Sequence, residues 1–335
     1  MSTNGFSRPF LKWAGGKAKI VPSLMEAIAE LESHGARWQL TEEQRYHEPF
    51  LGSGAVYFAL KSSGWIPASS SSELADLNPV LVNAMKVVKS RNNTKMRRLL
   101  SSYRSDYTEE IGRLGFPRGL TGKQRNERFF YRKRARINEL IRAILSGKRL
   151  SADERVEMAA TMVFLNKTCF NGLWRVNAKG EHNVPEGRYH APNNIYQPDV
   201  IRRCSALLKG AALSCRTFQE SFNRVNSGDL IYLDPPYLPF TVDEYVFTSY
   251  LTSGFDIQDQ VDLANCAAAA VASGARVIAS NNDSEEVRAI YSRAAEEVDI
   301  PEPTFVTVPI KRTMNCKGQG RVSVNEVLIF MKGDT

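Results

Sequence analysis

The sequence lacks the features that mark membrane-spanning, exported, disulfide-rich and zinc-binding proteins. Nowhere does it hold an uninterrupted run of roughly 18 apolar residues, the length that a transmembrane helix needs. Residues 1–8 are polar and contain no signal-peptide core. The five cysteines are scattered without a Cys-x-x-Cys pair, as is typical of proteins in a reducing cytosol. We therefore expect a cytoplasmic protein that needs neither a membrane nor a metal.

Internal repeats and long low-complexity linkers are also missing, and the composition, 43% hydrophobic and 24% charged, is that of an ordinary globular protein. Acidic residues are scarce in one segment. Residues 83–155 contain 20 Lys or Arg but 7 Asp or Glu, a net charge of +13 in a chain of net charge +8. A strongly basic segment in a near-neutral body is typical of nucleic-acid binding. The alternative is a solvated helical face rich in arginine.

The order of predicted elements indicates an α/β fold interrupted by helices. Strands are predicted at 45–50, 72–77, 229–234, 276–281, 304–310 and 322–330. Helices are predicted at 79–89, with Asn78 as N-cap, at 257–273, and within the basic stretch 90–165, whereas 166–192 is irregular. This order predicts a mostly parallel sheet with an antiparallel pair at its edge. We infer one discontinuous α/β domain that contains a basic helical insertion.

Residues 229–237, with the sequence DLIYLDPPY, are the most informative stretch. A short buried strand ends at Asp234, because two prolines cannot continue a ladder of hydrogen bonds. The break places a carboxylate, the Pro235 carbonyl and the Tyr237 ring at the carboxyl end of a strand, where open α/β sheets bind ligands. Two acceptors beside a ring suit a planar molecule with an exocyclic amino group. The alternative is a Pro-Pro turn that closes a core strand, with Asp234 as its cap.

A glycine turn follows the first predicted strand in the stretch 48–54, EPFLGSG. Glycines at a strand-to-helix turn let a ligand approach the backbone closely, although a purely structural turn has the same composition. Asp76 comes 22 residues after Gly54, at the end of the next predicted strand. An acid at about this spacing accepts hydrogen bonds from ribose hydroxyls in nucleotide sites. Together the turn and Asp76 predict a nucleoside pocket; Asp76 alone could be a helix cap.

Two further segments have compositions that suit binding. Residues 10–17, FLKWAGGK, place Trp13 between lysines and a Gly-Gly turn, which predicts a flap over a ligand or a tail whose tryptophan fills the core. Residues 165–177, LNKTCFNGLWRVN, are too polar for a core element. Asn171 and Arg175 are of the types that read adenine and guanine edges, and Phe170 could wedge into a base stack. The alternative is an ordinary Asn-Gly turn.

Taken together, these segments resemble the Dam-type DNA adenine-N6 methyltransferases, the D12 class with the alpha-type order of motifs. The resemblance covers nearly the whole chain and rests on these motifs: FLKWAGGK at 10–17, EPFLGSG at 48–54, ADLN at 75–78, FNGLWRVN at 170–177, NVP at 183–185 with GRY at 187–189, and DPPY at 234–237. Departures are a longer, arginine-rich insertion, Phe170 where a Tyr can occur, and Trp174 beside Arg175.

The resemblance implies a Rossmann-like class I methyltransferase sheet of seven strands, the last antiparallel, and S-adenosyl-L-methionine as cofactor, with S-adenosyl-L-homocysteine as product. It implies catalytic roles for Asp234, Pro235, Pro236 and Tyr237. The implied cofactor contacts are Trp13, Lys17, Glu48, Phe50, Gly52, Gly54, Asp76 and Asp234. The implied DNA contacts are Lys12, Phe170, Asn171, Leu173, Arg175, Pro185 and Tyr189.

We therefore expect methyl transfer to a flipped-out adenine in double-stranded DNA, within GATC or a related short palindrome. The expected catalytic domain comprises residues 1–82 and 195–335, and residues 83–194 form the expected target-recognition domain. The loop 245–255 is expected to close over the base, and 315–321 to touch phosphates. No obligate protein partner is expected, which suits a monomer. The alternatives are a cytosine-N4 methyltransferase and a non-catalytic DNA-binding protein that retains the fold.

Overall fold

The computed structural model describes residues 6–13, 15, 17–116, 121–187, 194–237, 255–311 and 323–333. Their centre is one seven-stranded sheet in the order β3-β2-β1-β4-β5-β7-β6. The strands are β1 (Tyr46–Glu48), β2 (Ser72–Ala75), β3 (Ala211–Ser214), β4 (Leu230–Leu233), β5 (Arg276–Asn282), β6 (Thr304–Lys311) and β7 (Ser323–Met331). Strands β1 to β5 pair in parallel, whereas β7 runs antiparallel to both of its neighbours, β5 and β6. The seven strands and the antiparallel last strand are confirmed, and β7 lies inside the sheet with β6 at the edge.

Within the described ranges, eleven α-helices surround the sheet or form the long segment between β2 and β3. They are α1 (Val21–Ser33), α2 (Ala55–Ser62), α3 (Pro79–Lys89), α4 (Asn93–Leu114), α5 (Gly122–Glu127), α6 (Phe129–Leu145), α7 (Ala152–Thr168), α8 (Pro198–Leu207), α9 (Phe218–Phe222), α10 (Ile257–Ala272) and α11 (Glu285–Glu297). The α/β class predicted from the sequence is confirmed. No described helix is both long and apolar enough to span a membrane.

Local sequence explains the elements next to the glycine turn. Helix α3 begins at Pro79, and the Asn78 side chain accepts hydrogen bonds from the backbone N–H groups of Val80 (3.0 Å) and Leu81 (3.2 Å). This cap satisfies N–H groups that a helix start leaves unpaired, and proline at the first position costs no hydrogen bond. Strand β4 is buried at all four positions, as expected for a central parallel strand covered on both faces.

The strand order reverses direction next to β1. Strand β1 pairs with β2 on one side and with β4 on the other, so the chain leaves the centre of the sheet in both directions from this point. A crevice forms at such a switch point, outside the carboxyl ends of the strands. The glycine turn follows β1, Asp76 follows β2 and Asp234 follows β4. All three predicted ligand-binding segments therefore lie at the same edge.

Helices α4 to α7 are joined to the sheet through α3. Helix α7 packs on α3, α4 and α6, and its buried side chains belong to the same apolar cluster as those of β1 and β2. Five aromatic side chains of the basic segment are buried in this core and cannot stack on bases: Tyr103, Tyr107, Phe129, Phe130 and Tyr131. The expected domain boundary at residues 82 and 83 falls within α3.

Candidate active site

The carboxylate of Asp234 lies at the end of β4 in contact with Lys17. The Lys17 ammonium is 3.2 Å from Asp234 Oδ1, and it lies 4.2 Å from the centre of the Tyr237 ring, whose hydroxyl it also contacts. Lys17 itself is buried. The structure thus brings together the aspartate and tyrosine of the predicted amino-group site, and places beside them a lysine that the sequence had assigned to the cofactor.

Hydrogen bonds hold one oxygen of Asp234 in place. The Ser280 hydroxyl lies 3.3 Å from Oδ1 and accepts from the Tyr232 hydroxyl at 3.0 Å. Within the described part of the chain, no donor lies on Oδ2 or on the Pro235 carbonyl, so both can accept from a ligand. Burial raises the pKa of Asp234 to about 6, against the opposing charge of Lys17.

A second carboxylate, Glu326 on β7, enters the same site. Glu326 Oε2 lies 3.1 Å from Lys17 Nζ and accepts from the Tyr237 hydroxyl at 3.0 Å. Its side chain is 10% exposed. The sequence interpretation missed Glu326, because it stands in an ordinary strand pattern and its position depends on where β7 enters the sheet. Glu326 is followed by five consecutive buried apolar residues, 327–331, and such a core strand gives no signal of function.

The turn after Asp234 is fixed by amide side chains. Gln260, on α10, donates from Nε2 to the Pro236 carbonyl at 2.8 Å, and its Oε1 accepts from Asn281 Nδ2 at 3.1 Å. Asn281 is fully buried on β5. These bonds occupy the Pro236 carbonyl, whereas the Pro235 carbonyl next to Asp234 accepts no hydrogen bond from the described residues. Sequence reasoning named neither amide residue.

The glycine turn and Asp76 form one hydrogen-bonded unit. The backbone N–H of Gly52 donates to Asp76 Oδ2 at 2.9 Å, and that of Asn78 donates to Oδ1 at 2.8 Å. Gly52 and Gly54 have φ angles of +49° and +72°, which glycine adopts without strain. Burial raises the pKa of Asp76, and the two backbone bonds oppose that shift. Each carboxylate oxygen retains a lone pair that could accept from a hydroxyl.

A cleft that is open to solvent lies between the glycine turn and Asp234. It is lined by Trp13, Gly15, Lys17, Glu48, Leu51, Gly52, Ser53, Ala55, Val56 and Asp234. The Trp13 ring covers the turn so closely that a Cβ atom on Gly52 would lie 2.9 Å from Trp13 Cδ1. Trp13 is therefore part of the cleft wall, as the predicted flap requires.

Glu48 is the buried acid of this cleft. Its side chain accepts from the Tyr46 hydroxyl at 2.7 Å. Burial raises the pKa of Glu48 to about 8, with the Tyr46 bond opposing the shift and the charge of Asp234 adding to it. A positive charge beside Glu48 would favour its ionised form and so lower this pKa.

Phe50 and Gly54 do not line the cleft. The Phe50 ring lies 5.8 Å from the rings of both Phe218 and Phe255, within an apolar cluster. Gly54 caps α2, where a Cβ atom would lie 3.0 Å from the Phe58 ring. The part of the expected base-covering loop that is described, Phe255, thus packs in the core; residues 245–254 lie outside the described residues.

The expected DNA-reading residues lie together on the irregular segment after α7. The Phe170 N–H donates to the Pro185 carbonyl at 2.9 Å, which joins the two halves of the segment. Phe170 is 51% exposed, and Asn171 has a positive φ of 55° that turns the chain before the half-buried Leu173. Lys12 is exposed, and its side chain packs against Gly172.

Arg175 is exposed and held by a neighbour. Its Nε donates to Asn183 Oδ1 at 2.8 Å, and the rings of Trp174 and His182 lie tilted against each other with centres 4.6 Å apart. Arg175 is thus an exposed arginine that is tethered through Nε. The expected DNA contact Tyr189 and the loop 315–321 lie outside the described residues. In the described ranges, no cluster of three or more His, Cys, Asp or Glu side chains could hold a metal ion.

Comparison of the chain with known proteins identifies its family. The family model for D12 class N6 adenine-specific DNA methyltransferases matches residues 13–304. The chain is 32% identical to the type II methyltransferase M.MjaIII of Methanocaldococcus jannaschii, over 96% of this chain and 98% of the relative. It is 29% identical to a DNA adenine methylase of Serratia marcescens (97% and 99%) and 27% identical to that of Escherichia coli K12 (97% and 96%). The chain belongs to the D12 class of N6 adenine-specific DNA methyltransferases and is a site-specific adenine DNA methyltransferase.

Proposed function

We propose that the protein transfers a methyl group from S-adenosyl-L-methionine to N6 of an adenine flipped out of duplex DNA, in GATC or a related short palindrome. The observation that carries this proposal is a pair of acceptors, Asp234 Oδ2 and the Pro235 carbonyl, to which no described residue donates, beside the Tyr237 ring and the cleft of the glycine turn. The proposal assigns the acceptors and the ring to the base, and the cleft to the methyl donor.

The cleft suits a cationic nucleoside such as S-adenosyl-L-methionine. Glu48 supplies a buried carboxyl group that the positive charge of such a ligand would ionise and pair with, and Gly52 admits close approach to the backbone. Asp76, bonded to the turn at 2.9 Å, is available for ribose hydroxyls. We assign Trp13, Lys17 and the turn to this ligand as well. The cofactor supplies an electrophilic methyl group.

The residues at the end of β4 prepare the nucleophile. The lone pair of an adenine amino group is delocalised into the ring, which makes the nitrogen a poor nucleophile. Two acceptors, Asp234 and the Pro235 carbonyl, would accept hydrogen bonds from its two N–H groups. These bonds would favour a more tetrahedral nitrogen, whose lone pair can then attack the methyl group. The Tyr237 ring would stack on the base, while the Lys17 ammonium contacts the hydroxyl end of this ring. Direct transfer then needs no covalent enzyme intermediate.

The basic segment would hold the DNA while the base is extruded. Flipping a base costs a few kcal/mol of lost stacking and pairing. Contacts of Lys and Arg with phosphates offset this cost, and they make binding fall steeply with salt. We assign residues 83–194 to target recognition and 1–82 with 195–335 to catalysis. Phe170, Asn171, Leu173, Arg175, Pro185 and Lys12 are the proposed DNA contacts.

The test is methylation mapping of a plasmid from cells that express the chain, with chemical identification of the modified base. We expect N6-methyladenine at one short palindrome, and GATC is the first candidate. Detection of N4-methylcytosine without N6-methyladenine would overturn the proposal. Asp234→Ala should abolish methylation while duplex binding persists, and Asp199→Ala, which removes an exposed aspartate from α8, should leave methylation intact. Full methylation by the Asp234 variant would refute the role of this carboxylate.

A further inference from the structure

The side chain of Asn166 joins two segments that are far apart in the sequence. Asn166 lies in the last turn of α7 and is fully buried. Its Oδ1 accepts from the Lys12 N–H at 2.8 Å, and its Nδ2 donates to the Lys12 carbonyl at 2.8 Å. The same Nδ2 donates to the Gly172 carbonyl at 3.0 Å. One amide therefore fixes the backbone of the N-terminal segment against the turn that carries Phe170 and Asn171.

Close packing reinforces this junction. Gly172 has a φ of +68°, and a Cβ atom there would lie 2.6 Å from Lys12 Cδ and 3.1 Å from the Asn166 carbonyl oxygen. The Lys12 side chain thus fills the space that the missing Cβ leaves. A shift of either segment would therefore break these contacts or move the other segment.

The two segments face different ligands under the proposed function. Phe170 and Asn171, beside Gly172, are exposed on the DNA-reading side. Trp13 follows Lys12 directly and forms a wall of the cleft over Gly52. A displacement of the reading turn on DNA would therefore pass through Asn166 to the cleft wall, because interactions between two sites travel through contacts of this kind.

We propose that Asn166 is a positioning residue that couples occupancy of the reading turn by the target sequence to closure of Trp13 over the cofactor cleft. This inference rests on the proposed function, since it takes the reading turn to contact DNA and the cleft to bind the methyl donor. It adds a residue that contacts neither ligand and yet determines how strongly the two ligands favour each other.

The test compares the affinity for S-adenosyl-L-homocysteine with and without a duplex that carries the target site. For the unaltered protein the target duplex should tighten binding by a factor of about 5 or more, the lower end of typical coupling between sites. Asn166→Asp keeps the size of the side chain and the bond accepted from Lys12, but it replaces both donated bonds by repulsion between oxygens. In this variant the factor should fall to about 1, and discrimination against a duplex with one altered base pair should fall with it.

The matched control is Asn138→Asp. Asn138 lies on α6, which packs on α7. Its side-chain oxygen accepts from the His182 N–H at 2.9 Å, and its side-chain nitrogen donates to the His182 carbonyl at 3.1 Å. Asn138 therefore bridges backbone groups in the same way as Asn166, but it does so at His182 and not at Lys12. Asn138→Asp should lower the melting temperature but retain the coupling factor. Equal coupling factors in Asn166→Asp and the unaltered protein would overturn the inference, as would a factor of 1 in the unaltered protein. If the unaltered protein methylates no adenine, the proposed function itself fails, which is a separate result.

Discussion

The ammonium group of Lys17 lies 3.2 Å from Oδ1 of Asp234, at the carboxyl end of β4. The same ammonium is shared with Glu326 Oε2 at 3.1 Å. Two carboxylates therefore compete for one cation in a buried site. Because Lys17 is shared, it neutralises the negative charge of Asp234 only in part. The oxygen of Asp234 that Lys17 does not contact therefore remains a strong hydrogen-bond acceptor for an amino group. Glu326 thereby affects the charge balance of Asp234, the proposed catalytic carboxylate, without contacting it.

Glu326→Gln should lower the rate constant of methyl transfer. The variant retains an oxygen for the Tyr237 hydroxyl but removes the charge that attracts Lys17, so Lys17 pairs with Asp234 alone. Loss of a hydrogen bond to a charged group costs about 1.5–3 kcal/mol, which corresponds to a rate loss of roughly 10- to 150-fold. Single-turnover kinetics measure the rate constant of methyl transfer. Glu297→Gln removes the same charge from an exposed position and should leave the rate unchanged. An unaltered rate in Glu326→Gln would show that Glu326 is only structural.

The rate of methyl transfer should depend on the ionisation of Asp234. Burial holds the pKa of Asp234 at about 6, and the protonated form is the weaker acceptor for an adenine N–H. We expect kcat/KM for the DNA substrate to be constant well above pH 6 and to fall about tenfold per pH unit well below pH 6. Circular dichroism and duplex binding at each pH serve as controls for unfolding. A flat profile from pH 7.5 to 5 would contradict the assignment.

Glu48→Gln should change the pH dependence of stability. The pKa of Glu48 is about 8 in the folded protein against an ordinary value of 4.5. Between these values the unfolded chain is ionised while the folded protein stays protonated, so stability falls as pH rises from about 4.5 to 8. The glutamine variant lacks this loss. Its melting temperature, relative to the unaltered protein, should therefore be higher at pH 8 than at pH 5. Its affinity for S-adenosyl-L-methionine should be weaker, because the cationic cofactor loses its carboxylate.

Arg175→Ala should relax sequence specificity. The guanidinium is exposed and tethered to Asn183 at 2.8 Å, and a bidentate contact of arginine with guanine contributes about 1–3 kcal/mol to discrimination. Methylation of duplexes with single altered base pairs should show that discrimination is lost at one position of the target site. Lys179→Ala, in the same turn region, should weaken binding to all sequences equally and lower the salt slope by about 1. A uniform loss in Arg175→Ala would identify Arg175 as a phosphate contact.

Local signals predicted the elements that depend on neighbouring residues. Helix α3 has the predicted bounds 79–89 and the predicted cap, because an Asn-Pro start is recognised within a few residues. The strand at 229–234 is shorter in the structure, Leu230–Leu233, because strand ends depend on pairing with β1 and β5. Sequence also placed Asp234 and Asp76 at strand ends that share one edge of the sheet.

Residues that act through distant contacts had no local signal. Glu326 reaches Lys17 across 309 residues, and Asn166 reaches Lys12 across 154. Each lies in a regular strand or helix whose pattern is satisfied without any function. Phe50 shows the converse, since its position in a family motif suggested a cofactor contact and the structure packs its ring against Phe218. The cofactor role of Phe50 stays a prediction.

The insertion of β7 between β5 and β6 has a consequence for folding. The contact of Glu326 with Lys17 closes a loop of 309 residues, and contacts of such long sequence separation form late because their loop-closure entropy is lost first. A partly folded state with β1 to β5 paired would hold the glycine turn and Asp234 but not Glu326. Refolding experiments should therefore show recovery of the sheet before recovery of methyl transfer, with an interval in which the protein is compact and inactive.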